Sequence, residues 1–422
     1  MKINFVLNPA ERITGGPLAI LDYANSLFDR GHDVSVTTYP SSLWSGDDPF
    51  PWYKFKGKIH YRDDRNDTDL KIKIMRKIKR KLSSSNLLRG IIREKLRVLY
   101  RQSFSKTIIP DDAYLIDSLI SSMPECDINI ATWWKTAEAV YKSKKGVPVF
   151  FMQHFEPLFY EDRILHFDLI CRSFNSYRLP MYKVANSSWL RDLVSENFGG
   201  HVRYSNNGFD QSVFKPMAKE SQSDGIIRLI TYSRPEAWKG FQDANDAVEE
   251  FTKHYGKKVI WNIFGYRHEL VNKEIKNVKK NYHTNLSYDN LAKLYARCDI
   301  ALCPSWYESF PLPPLEAMAS GTSVITTRLG TEDFAFHESN CLVVNPRNKQ
   351  EMVDALLRLA EDENLRADLA VSGRETASLF TLENAVSNRE KILFDIFSES
   401  KRSKLIVEPL ITNKNGLPFT NL

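Results

Sequence analysis

The sequence predicts an α/β protein with two doubly wound, Rossmann-like domains. Three observations support this fold class. Short apolar segments alternate with amphipathic helical segments in both halves of the chain. The first apolar segment is followed by a glycine pair that opens a helix. A polar stretch at residues 215–225 separates the halves, and 422 residues are enough for two or three domains.

The first fifty residues contain the opening of a doubly wound domain. Ile3–Leu7 is a short apolar run that ends at a turn, as a buried strand does. Gly15-Gly16-Pro17 follows, and proline suits the first turn of a helix. Apolar residues then recur at helical spacing up to Gly31, where a helix stop is expected. Asp33–Thr38 is predicted to be the second strand.

Later in the first half, strands are predicted at Asp127–Ala131, Pro148–Met152 and Lys183–Asn186. The stretch Lys215–Gly225 is polar and contains proline and glycine, which is typical of a linker. We therefore expect a first domain over residues 1–214 and a second over residues 215–382.

Strands and helices are predicted to alternate again in the second half. The predicted strands are Arg228–Tyr232, Val259–Phe264, Ile300–Cys303 and Val324–Thr326. The predicted helices are Phe241–His254, Leu291–Ala296 and Met352–Glu361, the last preceded by Asn348 and Glu351 at capping-box spacing. A final helix is expected to start near Thr381 and to occupy residues 383–400, followed by a tail over 401–422.

Charge is distributed unevenly along the chain. Hydrophobic residues make up 42% and charged residues 26%, a composition that excludes disorder of the whole chain. The net charge is only +6, but residues 71–106 hold 13 Lys and Arg and a single acid, Glu94. A basic helical insertion is therefore predicted at about 65–110.

This basic segment has three interpretations. Lys73, Lys77 and Lys81 recur every four residues among apolar side chains, which favours binding to an anionic membrane surface. A solvated helical face is the plainer alternative. Nucleic acid is disfavoured because no recognised binding module accompanies the charge.

The cysteines and apolar runs bear on location. The five cysteines have no zinc-site spacing, which favours reduced thiols in a reducing compartment. No apolar run approaches the ~18 residues of a membrane span, and the N-terminus does not have the pattern of a signal peptide. We expect a cytoplasmic protein, peripheral on the inner face of the membrane if the basic segment binds lipid.

The densest group of candidate functional residues follows the predicted strand Ile300–Cys303. Glu308 and Glu316 are separated by seven residues that include three prolines, so one continuous helix is unsuited to both. Glu308 is assigned to a loop, and a helix beginning at Pro313 or Pro314 places Glu316 in its first turn. A helix start offers free N–H groups to an anion. For either acid alone, a structural role is the favoured interpretation.

The whole string from Pro304 to Thr327 resembles the Glu-x7-Glu motif of retaining, nucleotide-sugar-dependent glycosyltransferases with the GT-B fold. Ser309 stands where that family usually has glycine, Pro311 replaces a second glycine, and Ser323 replaces proline. The resemblance implies two domains facing a cleft, with the last helix returning to the first domain. It also implies that Glu308 lies near the donor sugar, that Glu316 accepts from the ribose, and that Ser309 and Phe310 bind the donor.

A second string, from Tyr232 to Phe241, resembles the family's Gly-Arg-x4-Lys-Gly string, with Ser233 in place of the first glycine. By resemblance, Arg234 and Lys239 neutralise the donor diphosphate. Two fixed cations stabilise the negative charge of a leaving diphosphate, so neither a metal nor another cofactor is expected. In isolation, the two cations would be better interpreted as part of a solvated loop.

The first domain contributes weaker signals. Gly15 and Gly16 match the family's glycine loop, whose amides approach the donor. His154 is at the place of an acceptor-side histidine that orients or deprotonates a hydroxyl, although a hydrogen-bonded histidine at a strand end is an equal alternative. Trp133 and Trp134 suit either sugar stacking or the core, and we expect at least one in the core.

Other strings refine the resemblance. Ala131–Lys135 and Met152–Tyr160 resemble strings of rhamnosyltransferases that build rhamnan chains. Asn206–Asp210 resembles a family turn, which we expect at the hinge of the cleft.

The resemblance implies transfer of a sugar, with rhamnose as one candidate, from a nucleoside-diphosphate sugar to a hydroxyl of a growing cell-surface glycan. It also implies that the anomeric configuration is retained. The expected partners are the nucleotide sugar, a glycan or lipid-linked glycan acceptor, and an anionic membrane surface through residues 71–106, but no nucleic acid. The alternatives are a nucleotide-sugar epimerase and a catalytically silent glycan-binding or scaffolding protein.

Overall fold

The computed structural model describes residues 1–10, 15–39, 48–61, 111–160, 166–217 and 225–402. Within these ranges the chain forms two parallel β-sheets, each covered by helices, as the predicted fold class requires. The basic segment 71–106 and the tail after residue 402 lie outside the described residues.

The first sheet has seven parallel strands. They are β1 (Lys2–Val6), β2 (Asp33–Thr37), β3 (Lys58–His60), β4 (Ile128–Ala131), β5 (Val147–Met152), β6 (Tyr182–Ala185) and β7 (Val202–Tyr204). Their order is β3-β2-β1-β4-β5-β6-β7. The strands β2 and β3 are added on one side of β1 and the strands from β4 onwards on its other side, so the strand order reverses between β1 and β4. The helices of this half are α1 (Gly15–Asp29), α2 (Asp111–Ser122), α3 (Trp134–Ser143), α4 (Phe167–Ser176) and α5 (Ser188–Phe198).

The second sheet repeats this arrangement with six parallel strands. They are β8 (Ile227–Ser233), β9 (Val259–Gly265), β10 (Val278–His283), β11 (Ile300–Cys303), β12 (Ser323–Thr327) and β13 (Leu342–Val344). Their order is β10-β9-β8-β11-β12-β13, with the reversal between β8 and β11. The helices are α6 (Phe241–Tyr255), α7 (Tyr288–Ala296), α8 (Leu312–Ala319), α9 (Lys349–Glu361), α10 (Glu363–Ala377) and α11 (Leu382–Arg402). In such sheets ligands bind at the carboxyl ends of the strands, where the order reverses.

Each strand that the sequence predicted is present, within one or two residues at either end. The four strands that were missed are β3, β7, β10 and β13, and all four are sheet edges. Central parallel strands are buried on both faces and therefore form continuous apolar runs. The edge strands β10 and β3 are less buried and polar, so they lack that signal. The edge strand β13 is apolar but has only three residues.

The helix that carries Glu316 begins earlier than predicted. Pro311 is its N-cap and Leu312 its first residue, so Glu316 is the fifth residue and lies beyond the first turn. The prediction of a first-turn position for Glu316 was wrong. Pro313 and Pro314 do not delay the helix, because the first N–H groups of a helix have no intrahelical partner to lose.

The last helix packs on the first sheet. Val386, Ile392, Leu393 and Ile396 of α11 join the core formed by β1, β2 and α1. Arg30, which directly follows α1, also pairs with Glu390 at 2.5 Å. The chain therefore starts in the first domain, forms the second, and returns.

The predicted turn at Asn206–Asp210 lies where the chain crosses between the domains. The backbone N–H of Phe209 donates to Phe380, and that of Leu382 donates to Phe209. A Cβ at Gly208 would come within 2.3 Å of the Thr381 carbonyl oxygen, so the two crossing segments touch only because residue 208 is glycine. The outgoing and returning chains thus form one hinge.

In the part of the chain that the structure describes, no helix combines the length and apolarity of a membrane span. All five cysteines are described, and none forms a disulfide.

Candidate functional site

The two motif loops of the second domain meet where the strand order reverses. One loop follows β8 and contains Arg234 and Lys239, and the other follows β11 and contains Glu308. The backbone N–H of Trp306 donates to the backbone carbonyl oxygen of Trp238 at 2.7 Å, and this hydrogen bond holds the loops together.

Gly240 permits this close approach. Its φ is +69°, and a Cβ there would lie 2.1 Å from the Pro304 carbonyl oxygen. Any other residue would both strain the backbone and separate the loops. The glycine of the Arg-x4-Lys-Gly string is therefore explained by contact with the neighbouring loop.

Lys239 and Glu308 form an ion pair, with 2.6 Å between Nζ and Oε1. Their side chains are 17% and 14% exposed, so the pair is partly shielded from water. Arg234 is half-buried, and its guanidinium lies 5.4 Å from the centre of the Tyr232 ring. Among the described residues, no acidic side chain forms a salt bridge with Arg234. The site thus contains one paired cation and one cation that no described carboxylate neutralises.

Glu316 is buried beneath this loop. Burial raises the pKa of its carboxyl to about 8, although the nearby Tyr295 phenol opposes the rise. Tyr288 is close enough to interact electrostatically with both Glu316 and Asp22 of α1. Glu316 therefore faces the contact between the domains and is uncharged over much of the neutral pH range.

Ser309 and Phe310, which were expected to bind the donor, have different surroundings. Ser309 is buried and its hydroxyl hydrogen-bonds to Asn186 and Ser187 of the first domain, so it lies at the contact between the domains. Phe310 packs in the core of the second domain, with ring centres 5.4 Å from Phe334.

His154 of the first domain lies against the second domain. It is 8% exposed, and its ring centre is 5.3 Å from that of Trp238 and 5.8 Å from that of Tyr307. Neither ring nitrogen completes a hydrogen bond with a described residue. Burial and the nearby Lys239 ammonium lower its pKa to about 4, against the opposing effect of the Glu308 carboxylate.

The structure therefore departs from the plainer interpretation of His154. A structural histidine at a strand end is expected to be hydrogen-bonded, because a buried unpaired polar group is costly. His154 is neutral at pH 7, close to Glu308 and Lys239, and has both nitrogens unpaired.

The glycine pair lies at the same edge of the first sheet. Gly15 begins α1, and a Cβ at Gly15 would meet no described atom within 4 Å. A Cβ at Gly16 would lie 3.7 Å from the side-chain amide of Gln153, the residue before His154. The start of α1 therefore adjoins Gln153, the residue before His154 in the chain.

The tryptophan pair separates into a core residue and a half-buried one. Trp134 is 2% exposed, and its indole donates to the Tyr160 hydroxyl at 3.0 Å. Its backbone N–H donates to the buried Glu156 carboxylate at 2.7 Å. The expectation that at least one of the two belongs to the core is confirmed for Trp134, whereas Trp133 is only half-buried.

Sequence reasoning missed three aromatic residues of this site, namely Phe159, Trp238 and Tyr307. Trp238 directly precedes Lys239 and Tyr307 directly precedes Glu308, and the resemblance leaves both positions unspecified. Their placement immediately before the two charged residues was the available signal. Only the structure shows that they touch His154.

Within the described ranges, no group of three or more His, Cys, Asp or Glu side chains could hold a metal ion.

Most of the second domain is similar to a known protein family. The family described as glycosyl transferases group 1 matches residues 227–362. The O-antigen biosynthesis protein RfbC of Myxococcus xanthus is 25% identical over 279 residues, which are 65% of this chain and 21% of that protein. The N-acetyl-alpha-D-glucosaminyl L-malate synthase of Bacillus anthracis is 33% identical over 119 residues, which are 28% of this chain and 31% of that protein. The chain thus spans about a fifth to a third of these relatives.

Solved structures establish the architecture. Sucrose-phosphate synthase from Thermosynechococcus elongatus superposes with a TM-score of 0.70 at 14% identity, covering 94% of this chain and 99% of that one. Anabaena HepE in complex with UDP-glucose gives 0.63 at 17% identity, covering 94% and 100%. These superpositions show the fold, which is GT-B.

Proposed function

We propose that this protein transfers a sugar from a nucleoside-diphosphate sugar to a hydroxyl of a growing cell-surface glycan. One observation carries the proposal. Arg234, Lys239 and Glu308 are grouped where the second sheet reverses its strand order, and His154 faces them from the first domain. Supporting names come from relatives: HepE was solved with UDP and with UDP-glucose, and RfbC is named for O-antigen biosynthesis.

The donor would occupy the cleft between these groups. The diphosphate is assigned to Arg234 and Lys239, the sugar hydroxyls to Glu308, and the ribose hydroxyls to Glu316. The free amides at the start of α1, at Gly15 and Gly16, would face the donor from the other domain. Ser309 and Phe310, which directly follow Glu308 in the same loop, are assigned to the donor site.

The proposed reaction proceeds on one face of the sugar. The bond from the anomeric carbon to the diphosphate oxygen breaks, and the acceptor oxygen bonds to the same carbon on the same face. The acceptor proton passes to the departing diphosphate, whose charge the two cations stabilise. Neutral His154 would orient the acceptor hydroxyl through a ring nitrogen. This scheme retains the anomeric configuration and assigns the diphosphate charge to side chains, without a metal or another cofactor.

The donor can be found by ligand stabilisation. A nucleotide sugar present at 100 times its Kd stabilises the native state by about 2.7 kcal/mol, which shifts the melting temperature measurably. Deoxythymidine-diphosphate rhamnose and UDP-glucose should be tested first, because of the rhamnosyltransferase-like strings and the HepE complexes respectively.

Turnover then separates the alternatives. Release of nucleoside diphosphate that depends on an added glycan acceptor supports transfer. Conversion of the donor to an isomer without acceptor identifies an epimerase. Donor or glycan binding without turnover identifies a catalytically silent protein. Full activity of a Glu308→Ala, Arg234→Ala double variant would refute the assignment of the site.

We further propose that residues 71–106 hold the protein on the anionic, cytoplasmic face of a membrane that carries a lipid-linked acceptor. The proposal rests on the sequence, in which each Lys or Arg near anionic lipid contributes about 1 kcal/mol. Co-sedimentation with vesicles of anionic lipid should weaken as salt increases. Sedimentation that is unchanged after neutralising Lys77, Lys79, Arg80 and Lys81 would contradict it.

A further inference from the structure

Three aromatic rings stack across the contact between the domains. The Phe159 ring of the first domain lies on Trp238, with centres 5.7 Å apart and 20° between the planes. The Trp238 ring lies on Tyr307 of the same domain, at 5.1 Å and 11°. We call Phe159, Trp238 and Tyr307 the cleft stack.

Trp238 is the central ring of the cleft stack, and it also touches the ion pair. The Lys239 ammonium lies 4.1 Å from the centre of the Trp238 ring, a cation–π contact, while its Nζ is 2.6 Å from Glu308. Tyr307, stacked on the other side, is the residue next to Glu308. Trp238 therefore contacts Lys239 directly and the Glu308 loop through Tyr307.

The first domain completes the cleft stack. The His154 ring centre is 4.6 Å from Phe159 and 5.3 Å from Trp238. The Tyr307 hydroxyl donates to the Leu158 carbonyl oxygen at 2.9 Å, which ties the second domain to the turn that carries Phe159. These contacts join two domains, so they exist only while the domains touch.

We propose that Trp238 is a positioning residue that couples contact between the domains to the geometry of the Lys239–Glu308 pair. The inference rests on the proposed glycosyl transfer and adds a residue that acts through Lys239 and the Glu308 loop. When the domains touch, Phe159 and His154 confine the Trp238 ring, which in turn confines the Lys239 ammonium. When the domains separate, those confining rings leave and Lys239 gains freedom.

A purely structural role for Trp238 makes a different prediction. A ring that only fills space is needed for folding but not for the orientation of Lys239, so its loss would lower stability and leave the rate constant of the folded protein unchanged. If Trp238 positions Lys239, its loss should instead lower the rate constant of the folded protein. Misplacing a charged group by about 1 Å costs up to about 100-fold in rate.

The kinetic test uses Trp238→Leu, which removes the ring, and Trp238→Phe, which keeps a smaller one. We expect Trp238→Leu to lower kcat at least about tenfold while the donor's Kd, measured by thermal stabilisation, changes less than about threefold. Trp238→Phe should restore kcat to within about threefold of the wild type. The control is Phe336→Leu, because Phe336 is an exposed aromatic of the same domain.

A second readout does not depend on activity. Besides the rings, Glu308 and Lys239 are the charged groups that act on His154, and burial holds its pKa at about 4. Removing the Trp238 ring should expose the imidazole and raise this pKa towards its ordinary value, as followed by the histidine ring NMR signals. Trp238→Phe and Phe336→Leu should leave the titration near that of the wild type.

The outcomes are distinguishable. If the wild type turns over some donor, then normal kcat in folded Trp238→Leu overturns the positioning role. If the wild type turns over no donor in the screen, the proposed function fails. In that case an unshifted His154 titration in Trp238→Leu overturns the coupling through the cleft stack, and a shifted one supports it.

Discussion

The Lys239 ammonium lies 2.6 Å from the Glu308 carboxylate in a site where both were expected to meet a bound donor. The pair is partly buried, and each charge would be costly without the other. A diphosphate entering the site would compete with Glu308 for Lys239. The ion pair therefore holds both side chains in the cleft before the donor arrives.

The first prediction concerns this pair. Glu308→Gln and Lys239→Met should each lower kcat/KM by about 100-fold or more, since each removes a charge that is proposed to act on the donor. In urea unfolding, the double variant should lose less stability than the two single losses added together, with a coupling of about 0.5–3 kcal/mol. Strict additivity would show that the two charges do not interact in solution.

The second prediction concerns pH and Glu316. Its pKa is raised by burial to about 8, so the folded protein keeps a proton that the unfolded chain releases near 4.5. Stability from this group is therefore fully present below about pH 4.5 and is lost as the pH rises towards 8.

Glu316→Gln should remove this pH dependence, so the variant should gain stability relative to the wild type between pH 5 and pH 8, by up to about 1.4 kcal/mol per pH unit. Melting temperatures measured across that range check it. Glu375→Gln is the matched control, because Glu375 is an exposed helical acid. Parallel curves for wild type and Glu316→Gln would contradict the assignment.

The third prediction concerns Gly240. Gly240→Ala introduces a Cβ that would lie 2.1 Å from the Pro304 oxygen, whereas a Cβ at Gly256 would meet nothing within 4 Å. Both glycines have φ +69°, so Gly256→Ala measures the backbone cost alone, about 1–2 kcal/mol. Gly240→Ala should cost more than that in urea unfolding and should also lower kcat, because it separates the two motif loops. Equal losses would show that the contact between the loops is unimportant.

The fourth prediction concerns the hinge. Arg389 of α11 is buried, and its guanidinium donates to the carbonyl oxygens of Ser205 and Asn206 and stacks on Phe151 at 4.1 Å. Burial lowers its pKa to about 10, so it stays charged at neutral pH. Arg389→Met should destabilise the protein by about 3–5 kcal/mol, because it leaves these buried carbonyls without donors.

The control for the hinge is Arg374→Ala, an exposed arginine of α10, which should change the free energy of unfolding by no more than about 0.5 kcal/mol. A loss near 1 kcal/mol for Arg389→Met would indicate that water replaces the guanidinium at the hinge.

Much of the architecture could be predicted because its signal is local. Central strands such as β1 and β11 are short apolar runs, and Asn348 caps α9 by accepting from the Glu351 N–H as its spacing predicted. The start of α8 was misplaced because proline is tolerated in the first turn, so a proline does not by itself mark where a helix begins.

The sequence by itself determined which residues carry charge and in what order. The chemical types and spacings of four residues resemble a known pattern, namely those of Arg234, Lys239, Glu308 and Glu316. Such a pattern can be recognised without knowing how the two domains meet. The same reasoning assigned Ser309 and Phe310 to the donor, although spacing along a loop does not show which way a side chain points.

Only the tertiary structure decided what these residues face. It paired Lys239 with Glu308, turned Ser309 towards Asn186, and enclosed His154 between rings from both domains. These contacts join residues more than 60 positions apart, and they depend on how two separately folded sheets meet. The physical reason is that burial, pKa and side-chain direction are properties of the packed surroundings, which no local segment of the chain contains.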